Sequence, residues 1–188
     1  MSHTAFLERG DDRSFVCDWV VVGSGAGGAT AAEYLSRHGE KVVLVEAGAW
    51  RDPEHYPTTA YGAMRDLLED WGAQITRGRA FWPIVQARTV GGTTVVNSAI
   101  AVRTPDDIYA LWRAEHGIGG ELFEAAMKRF QDQLDDELKV EVAAPASRGR
   151  NNELAYAAGE AVGIEHHYMR RYAKDCEGSG QCMQGCKS

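Results

Sequence analysis

The chain has 188 residues, 44% of them apolar and 25% charged, a globular composition that excludes disorder and collagen-like repetition. Its charge sum of 20 − 27 = −7, with no basic stripe, argues against a nucleic-acid-binding surface. No run approaches the roughly 18 consecutive apolar residues of a membrane-spanning helix, and 21 glycines exceed the ordinary usage of roughly 7%.

Residues 1–16 read as an N-terminal extension. Its first fifteen residues, MSHTAFLERGDDRSF, lack the apolar core of a secretory signal, so a cytoplasmic setting is expected. Cys17 to Val22 (CDWVVV) reads as a buried parallel strand, with Cys17 as a buried apolar residue. Residues 27–38 turn helical, with Ala29, Ala32 and Leu35 at a spacing of three and Gly39 as the stop. Lys41 to Val45 (KVVLV) is a second buried strand, which closes a βαβ unit with a right-handed crossover.

Further on, 50–60 is a loop with Pro53 and Pro57. Residues 61–71 place Met64, Leu67, Leu68 and Trp71 on one helical face, and Ile75 to Val85 is extended and loop-rich. Thr104-Pro105-Asp106-Asp107 predicts a helix start with Thr104 as N-cap. Leu122, Ala126, Phe130, Leu134 and Leu138 predict an amphipathic helix over 121–138, and another spans about 151–162 before Gly163. The segment from Lys174 to Ser188 has no periodicity.

Gly23-Ser24-Gly25-Ala26-Gly27-Gly28 fits G-x-G-x-x-G between the first strand and the first helix. Gly23 permits the tight turn, Gly25 lets the backbone approach a pyrophosphate, and Gly28 allows close packing. The helix N-terminus then offers free N–H groups to the anion. Glu46 ends the second strand, where a carboxylate can accept from ribose hydroxyls and disfavour the 2′-phosphate of NADP. Strand, turn, helix, strand and acid in register predict a dinucleotide site; NAD and FAD both remain open. A second cluster, Thr89-Val90-Gly91-Gly92-Thr93-Thr94-Val95-Val96-Asn97-Ser98, suits either close backbone approach to a ligand or a tight turn before a strand.

Together, VVGSGAGGATAAEYLSRHGEKVVLVEAG and RTVGGTTVVNSAI resemble the N-terminal half of the glucose–methanol–choline (GMC) oxidoreductases, FAD enzymes that oxidise alcohols. The resemblance continues through TPDDIYALWRAEHG and covers most of the chain from about residue 17. It implies an α/β fold: a Rossmann-like FAD-binding domain with a parallel sheet, incomplete and with helical and loop-rich insertions. That domain would span 17–150, and 151–188 would be a helix plus a cysteine-rich loop leading into a C-terminal half.

The same resemblance implies that Gly23, Ser24, Gly25, Ala26 and Gly28 hold the FAD pyrophosphate and Glu46 the adenosine ribose. Gly91, Gly92, Thr93 and Asn97 would lie along the pyrophosphate, ribityl chain and flavin. Some members attach FAD through a histidine immediately before the asparagine. That position is Val96 here, so the expected FAD is non-covalent.

Cys176, Cys182 and Cys186 bring three thiols into eleven residues, a set that suits a soft metal or an iron–sulfur cluster. Three is one short of an all-cysteine zinc site. The arrangement is similar to that of GMC dehydrogenases with a three-iron cluster that pass electrons to a cytochrome. It also resembles that of long-chain alcohol oxidases that are not clearly cluster proteins, so structural or redox-active thiols stay open.

His166 and His167 match no catalytic motif and read as loop residues. Asp132, Asp135, Asp136 and Glu137 read as a solvated helix face. Trp71, Phe81 and Trp82 read as packing for a lid or the substrate side. No residue of this chain is assigned as the catalytic base, which the resemblance puts near the family's C-terminus. The expected function is the FAD-binding portion of an oxidoreductase for CH–OH donors, inactive alone, with an alcohol substrate and either a companion chain or an electron-acceptor protein as partner. The alternatives are a catalytically silent nucleotide-binding module, a split-enzyme subunit, and an NAD-dependent dehydrogenase that would leave 91–97 unexplained.

Overall fold

In the computed structural model, which describes residue 12 and residues 14–186, the valine-rich runs Trp19–Val22 (β1) and Val42–Val45 (β2) form extended strands, as β-branched side chains favour. The expected extension at 1–16 lies largely outside the described residues. The strands pair in parallel, Trp19 opposite Val42 and Val22 opposite Val45. Helix α1 (Ala26–Arg37) connects them and packs beside both, and Gly39, at φ +86°, takes the chain out of it. The βαβ unit and the Rossmann-like α/β fold read from the sequence are those observed.

One expectation about these strands is corrected. They are parallel but not buried: Val20 is 60% and Val22 82% exposed. Among the described residues the sheet has two strands and no third to cover its apolar side chains, and Cys17 is half-buried.

The described residues fall into two compact units. One runs to Asn97 and includes the segment from Gln181; the other is Ser98–Gly180. In the first, helix α2 (Ala60–Asp66) is capped by Thr59, whose hydroxyl accepts from the Gly62 N–H at 3.1 Å. The helix expected over 61–71 stops at Asp66. Beyond it the backbone pairs instead with 86–88: Glu69 N–H donates to Gln86 O at 2.8 Å, and Arg88 N–H to Leu67 O at 2.7 Å. Leu67 is fully buried with Ala63, Ala87 and Val96, and Tyr56, Leu68 and Val95 pack around them. Met64 and Trp71, expected on the same apolar face, are about half exposed, at 45% and 47%. Gln74–Ile75 (β3) and Pro83–Ile84 (β4) form a short antiparallel hairpin.

The second unit holds α3 (Asp106–His116), α4 (Glu121–Glu137) and α5 (Arg150–Val162), with an antiparallel pair, Glu141–Val142 (β5) and Arg170–Arg171 (β6). The N-cap of α3 is Pro105, not Thr104, whose hydroxyl instead accepts from Gln131 Nε2 at 3.1 Å. Asp135 departs from the solvated-face reading. It is 9% exposed, and its Oδ2 accepts from Arg103 (Nη2, 2.7 Å; Nε, 3.1 Å) and Arg170 (Nη2, 3.0 Å), tying α4 to the strand β6. His166 packs edge-on to Tyr156, which stacks on Tyr168, which in turn lies under the Arg148 guanidinium.

Candidate cofactor site

The first glycine segment sorts by physical cause. Gly23 has φ +90°, a left-handed conformation that disfavours any side chain. A Cβ on Gly28 would sit 1.9 Å from the Gly23 carbonyl oxygen, so the turn itself excludes it. Gly25 and Gly27 differ: a Cβ on either meets nothing within 4 Å, and Gly25 has an ordinary φ of −63°. The protein's own packing therefore gives no reason for glycine at these two positions. Gly25 is the N-cap of α1 and offers no side-chain cap, so the first-turn amides of Ala26, Gly27 and Gly28 have no carbonyl one turn back to receive them. Open space over unsatisfied N–H groups and the positive end of a helix dipole suits a pyrophosphate.

Glu46 follows β2 and is half-buried beside this turn. Its Oε2 accepts from the Ser24 hydroxyl at 2.6 Å and the Ser24 N–H at 2.8 Å, and its Oε1 from the Gly48 N–H at 2.7 Å. Desolvation pushes its pKa up, but the Ser24 donors and the Gly48 and Ala47 amides together outweigh it and hold the carboxyl below its usual range. It is ionised at neutral pH.

The second glycine segment is brought against the first. Gly48 admits it: a Cβ there would lie 2.2 Å from the Thr89 nitrogen. Thr89, fully buried, donates its hydroxyl to Ala49 O at 3.0 Å, and Val90 N–H donates to the same oxygen at 3.2 Å. Gly91 (φ +90°) then leads into a single 3₁₀ turn, Gly92–Thr94, and a Cβ on Gly92 would stand 3.3 Å from Gly25 Cα. Gly91 N–H donates to Ser24 Oγ at 2.8 Å. Thr93 Oγ1 accepts from Ala87 N–H at 3.1 Å, and Asn97 Nδ2 donates to the carbonyls of Thr93 (3.0 Å) and Thr94 (2.6 Å). The structure thus gathers Gly23, Ser24, Gly25, Ala26, Gly28, Glu46, Gly91, Gly92, Thr93 and Asn97 into one unit. Gly27, Gly48 and Thr89 join them. Gly48 could have been anticipated from the Glu46-Ala47-Gly48 run, and Thr89 from its place at the head of the second glycine cluster.

The three cysteines are placed differently. Cys176 belongs to the second unit, Cys182 and Cys186 to the first. Cys182 starts a short 3₁₀ turn, Cys182–Gln184, after which Gly185 passes so close to the Tyr56 ring that a Cβ would lie 2.2 Å from it. Among the described residues, the three ligand-type side chains that converge within 4.8 Å are Asp52, Glu54 and His55, all exposed. The imidazoles of His166 and His167 contact the carbonyls of Ile164 (2.6 Å) and Tyr168 (3.0 Å).

A βαβ unit that presents a glycine turn and an acidic strand end defines a Rossmann-like domain of the dinucleotide-binding class. The GMC oxidoreductase family model matches residues 18–188, and the chain belongs to that family. It is 36% identical over 172 residues to an uncharacterised GMC-type oxidoreductase of Mycobacterium tuberculosis, covering 91% of this chain and 27% of the relative. A long-chain-alcohol oxidase of Arabidopsis thaliana is 31% identical over 179 residues, covering 94% and 23%. Choline oxidase of Arthrobacter globiformis is 35% identical over 137 residues, covering 69% and 24%. The chain spans about a quarter of the length of these relatives. Among solved structures, pyridoxine 4-oxidase from Mesorbium loti shares the fold, with a TM-score of 0.59 at 18% identity over 85% of this chain and 37% of that one. No helix of the described residues is long and apolar enough to cross a membrane.

Proposed function

We propose that this chain is the cofactor-holding part of an oxidoreductase that binds FAD non-covalently and accepts hydride from the CH–OH group of a small alcohol. The open cradle over Gly25 and Gly27, at the N-terminus of α1 and beside Gly92, carries the reading. Bound FAD would supply the hydride-accepting chemistry, and the protein supplies position and field. The first-turn amides of α1 donate to the pyrophosphate. Glu46, ionised, accepts from the ribose hydroxyls and repels a 2′-phosphate. The Gly91–Gly92 backbone follows the pyrophosphate and ribityl chain, while Thr93 and Asn97 hold the turn in shape. Val96, where some family members carry the attaching histidine, is 1% exposed in the apolar core and offers no nucleophile.

The names of the relatives, a long-chain-alcohol oxidase and a choline oxidase, support an alcohol donor. The base that takes the hydroxyl proton comes from polypeptide beyond these residues, either a companion chain or the remainder of a longer one, and the electrons leave to an acceptor, whether oxygen, a quinone or a cytochrome. Ligation of an iron–sulfur cluster by Cys176, Cys182 and Cys186 is a separate part of the proposal, carried by residue type and spacing.

Titration of the apo chain with FAD, followed by flavin fluorescence, tests the main reading: saturable quenching supports it, and an unchanged flavin signal sinks it. Iron and acid-labile sulfide assays on anaerobically purified protein test the cluster, and an FAD-loaded sample free of iron removes it.

A further inference from the structure

We propose that Ser24 is a positioning residue that couples the two glycine segments, with no hydrogen left to donate to a pyrophosphate. The proposal deepens the flavin reading and rests on it only for the consequence at the cofactor. A serine hydroxyl has one proton to donate and two lone pairs to receive. Here the proton goes to Glu46 Oε2 at 2.6 Å, a short bond to an ionised acceptor. One lone pair receives the Gly91 N–H at 2.8 Å, across 67 residues of sequence. The Ser24 N–H is also committed, at 2.8 Å, to the same carboxylate oxygen. Ser24 is 4% exposed, so water does not compete for these bonds.

This arrangement makes Ser24 the hinge pin between an acid and a turn. Gly91, at φ +90°, directs the chain into the Gly92–Thr94 turn, and Gly92 lies against Gly25. Ser24 sets how far that turn stands from the N-terminus of α1, and hence the gap between the two backbone walls of the cradle. It also gives Glu46 Oε2 two donors, while Gly48 N–H donates to Oε1 at 2.7 Å, so the carboxylate is held on both oxygens.

Amide exchange at Gly91, measured by NMR on the 188-residue chain, tests the coupling without any cofactor. We expect a slow Gly91 amide in the native chain that exchanges about tenfold faster in Ser24→Ala, the scale of one hydrogen bond. The amides of α1 should keep their rates, and Ser24→Thr, which retains the hydroxyl, should restore slow exchange at Gly91. A Gly91 amide that exchanges freely in the native chain, or equally slowly in Ser24→Ala, overturns the proposal. The native measurement stands even where the alanine variant does not fold. Nucleotide probes separate positioning from phosphate donation, because ADP ends at the pyrophosphate whereas FAD runs on along the second segment through its ribityl chain and flavin. Ser24→Ala should weaken FAD binding at least about tenfold more than ADP binding, and equal losses overturn the positioning role. A native chain that binds neither probe overturns the flavin reading instead, and the Gly91 exchange alone then decides the coupling.

Discussion

Glycines that look alike in a motif answer to different physical causes at each position, and this yields a sharp contrast at Gly25 and Gly28. Gly28→Ala drives a methyl into the Gly23 carbonyl, which must move, at a cost of about 1–3 kcal/mol for an overpacked site. Gly25→Ala meets no protein atom and has a permitted φ, so the stability lost should be no more than about 1 kcal/mol, that of alanine replacing glycine at an N-cap. That methyl nevertheless fills the cradle, and FAD affinity should fall at least about tenfold, read by fluorescence titration. A Gly25→Ala chain that keeps full FAD affinity would show that the open space serves something else. The motif's residue types and Glu46 were legible in the sequence. That Gly25 is spatially idle in the protein while Gly28 is not depends on where the Gly23 carbonyl points.

At the scale of elements, hydrophobic period identified helices where neighbours agreed with it and misled where backbone pairing competed. α4 matches its expected span almost residue for residue, whereas α2 ends five residues before the periodicity does, because 67–69 pairs with 86–88. Leu67 still earns its apolar type, at 0% exposure in the core of the first unit. Asp135 shows the opposite failure: its position among acidic neighbours suggests a solvated face, yet it is buried between two arginines. The Arg103 hydrogen bonds hold its carboxyl below the usual range, against desolvation and with help from Arg170. A depressed folded-state pKa contributes stability that is present above the unfolded value and lost as pH falls through the folded one. Stability of the second unit should therefore decline as pH drops below about 4. Asp135→Asn should lower the thermal midpoint at pH 7 and flatten that acid decline, both measurable by circular dichroism melts. An unchanged acid profile in the variant would remove Asp135 as the cause.

At the scale of the whole molecule, the chain belongs to the GMC oxidoreductases and spans about a quarter of the length of its curated relatives. Its two histidine rings at 166 and 167 are turned to local carbonyls and, for His166, to Tyr156. An FAD-loaded sample of this chain should accordingly fail to reduce an artificial dye with alcohol donors and gain activity when polypeptide bearing a base is added. Dye reduction by the chain alone would place the base within it. Among the glycines, Gly23, Gly39 and Gly91 serve turns at positive φ, Gly28, Gly48 and Gly185 permit close approaches, and Gly25 and Gly27 stand beside open space. Local chemistry was enough to determine the βαβ unit, its glycine turn and the acid at the end of β2, because these depend on residues within thirty positions of one another. Only the tertiary structure decided that Gly91 hangs from Ser24, that Gly48 admits Thr89 and that Asp135 is buried. Each of those joins residues 32 to 67 positions apart, or strands with no shared periodicity, through single hydrogen bonds and steric gaps that composition does not encode.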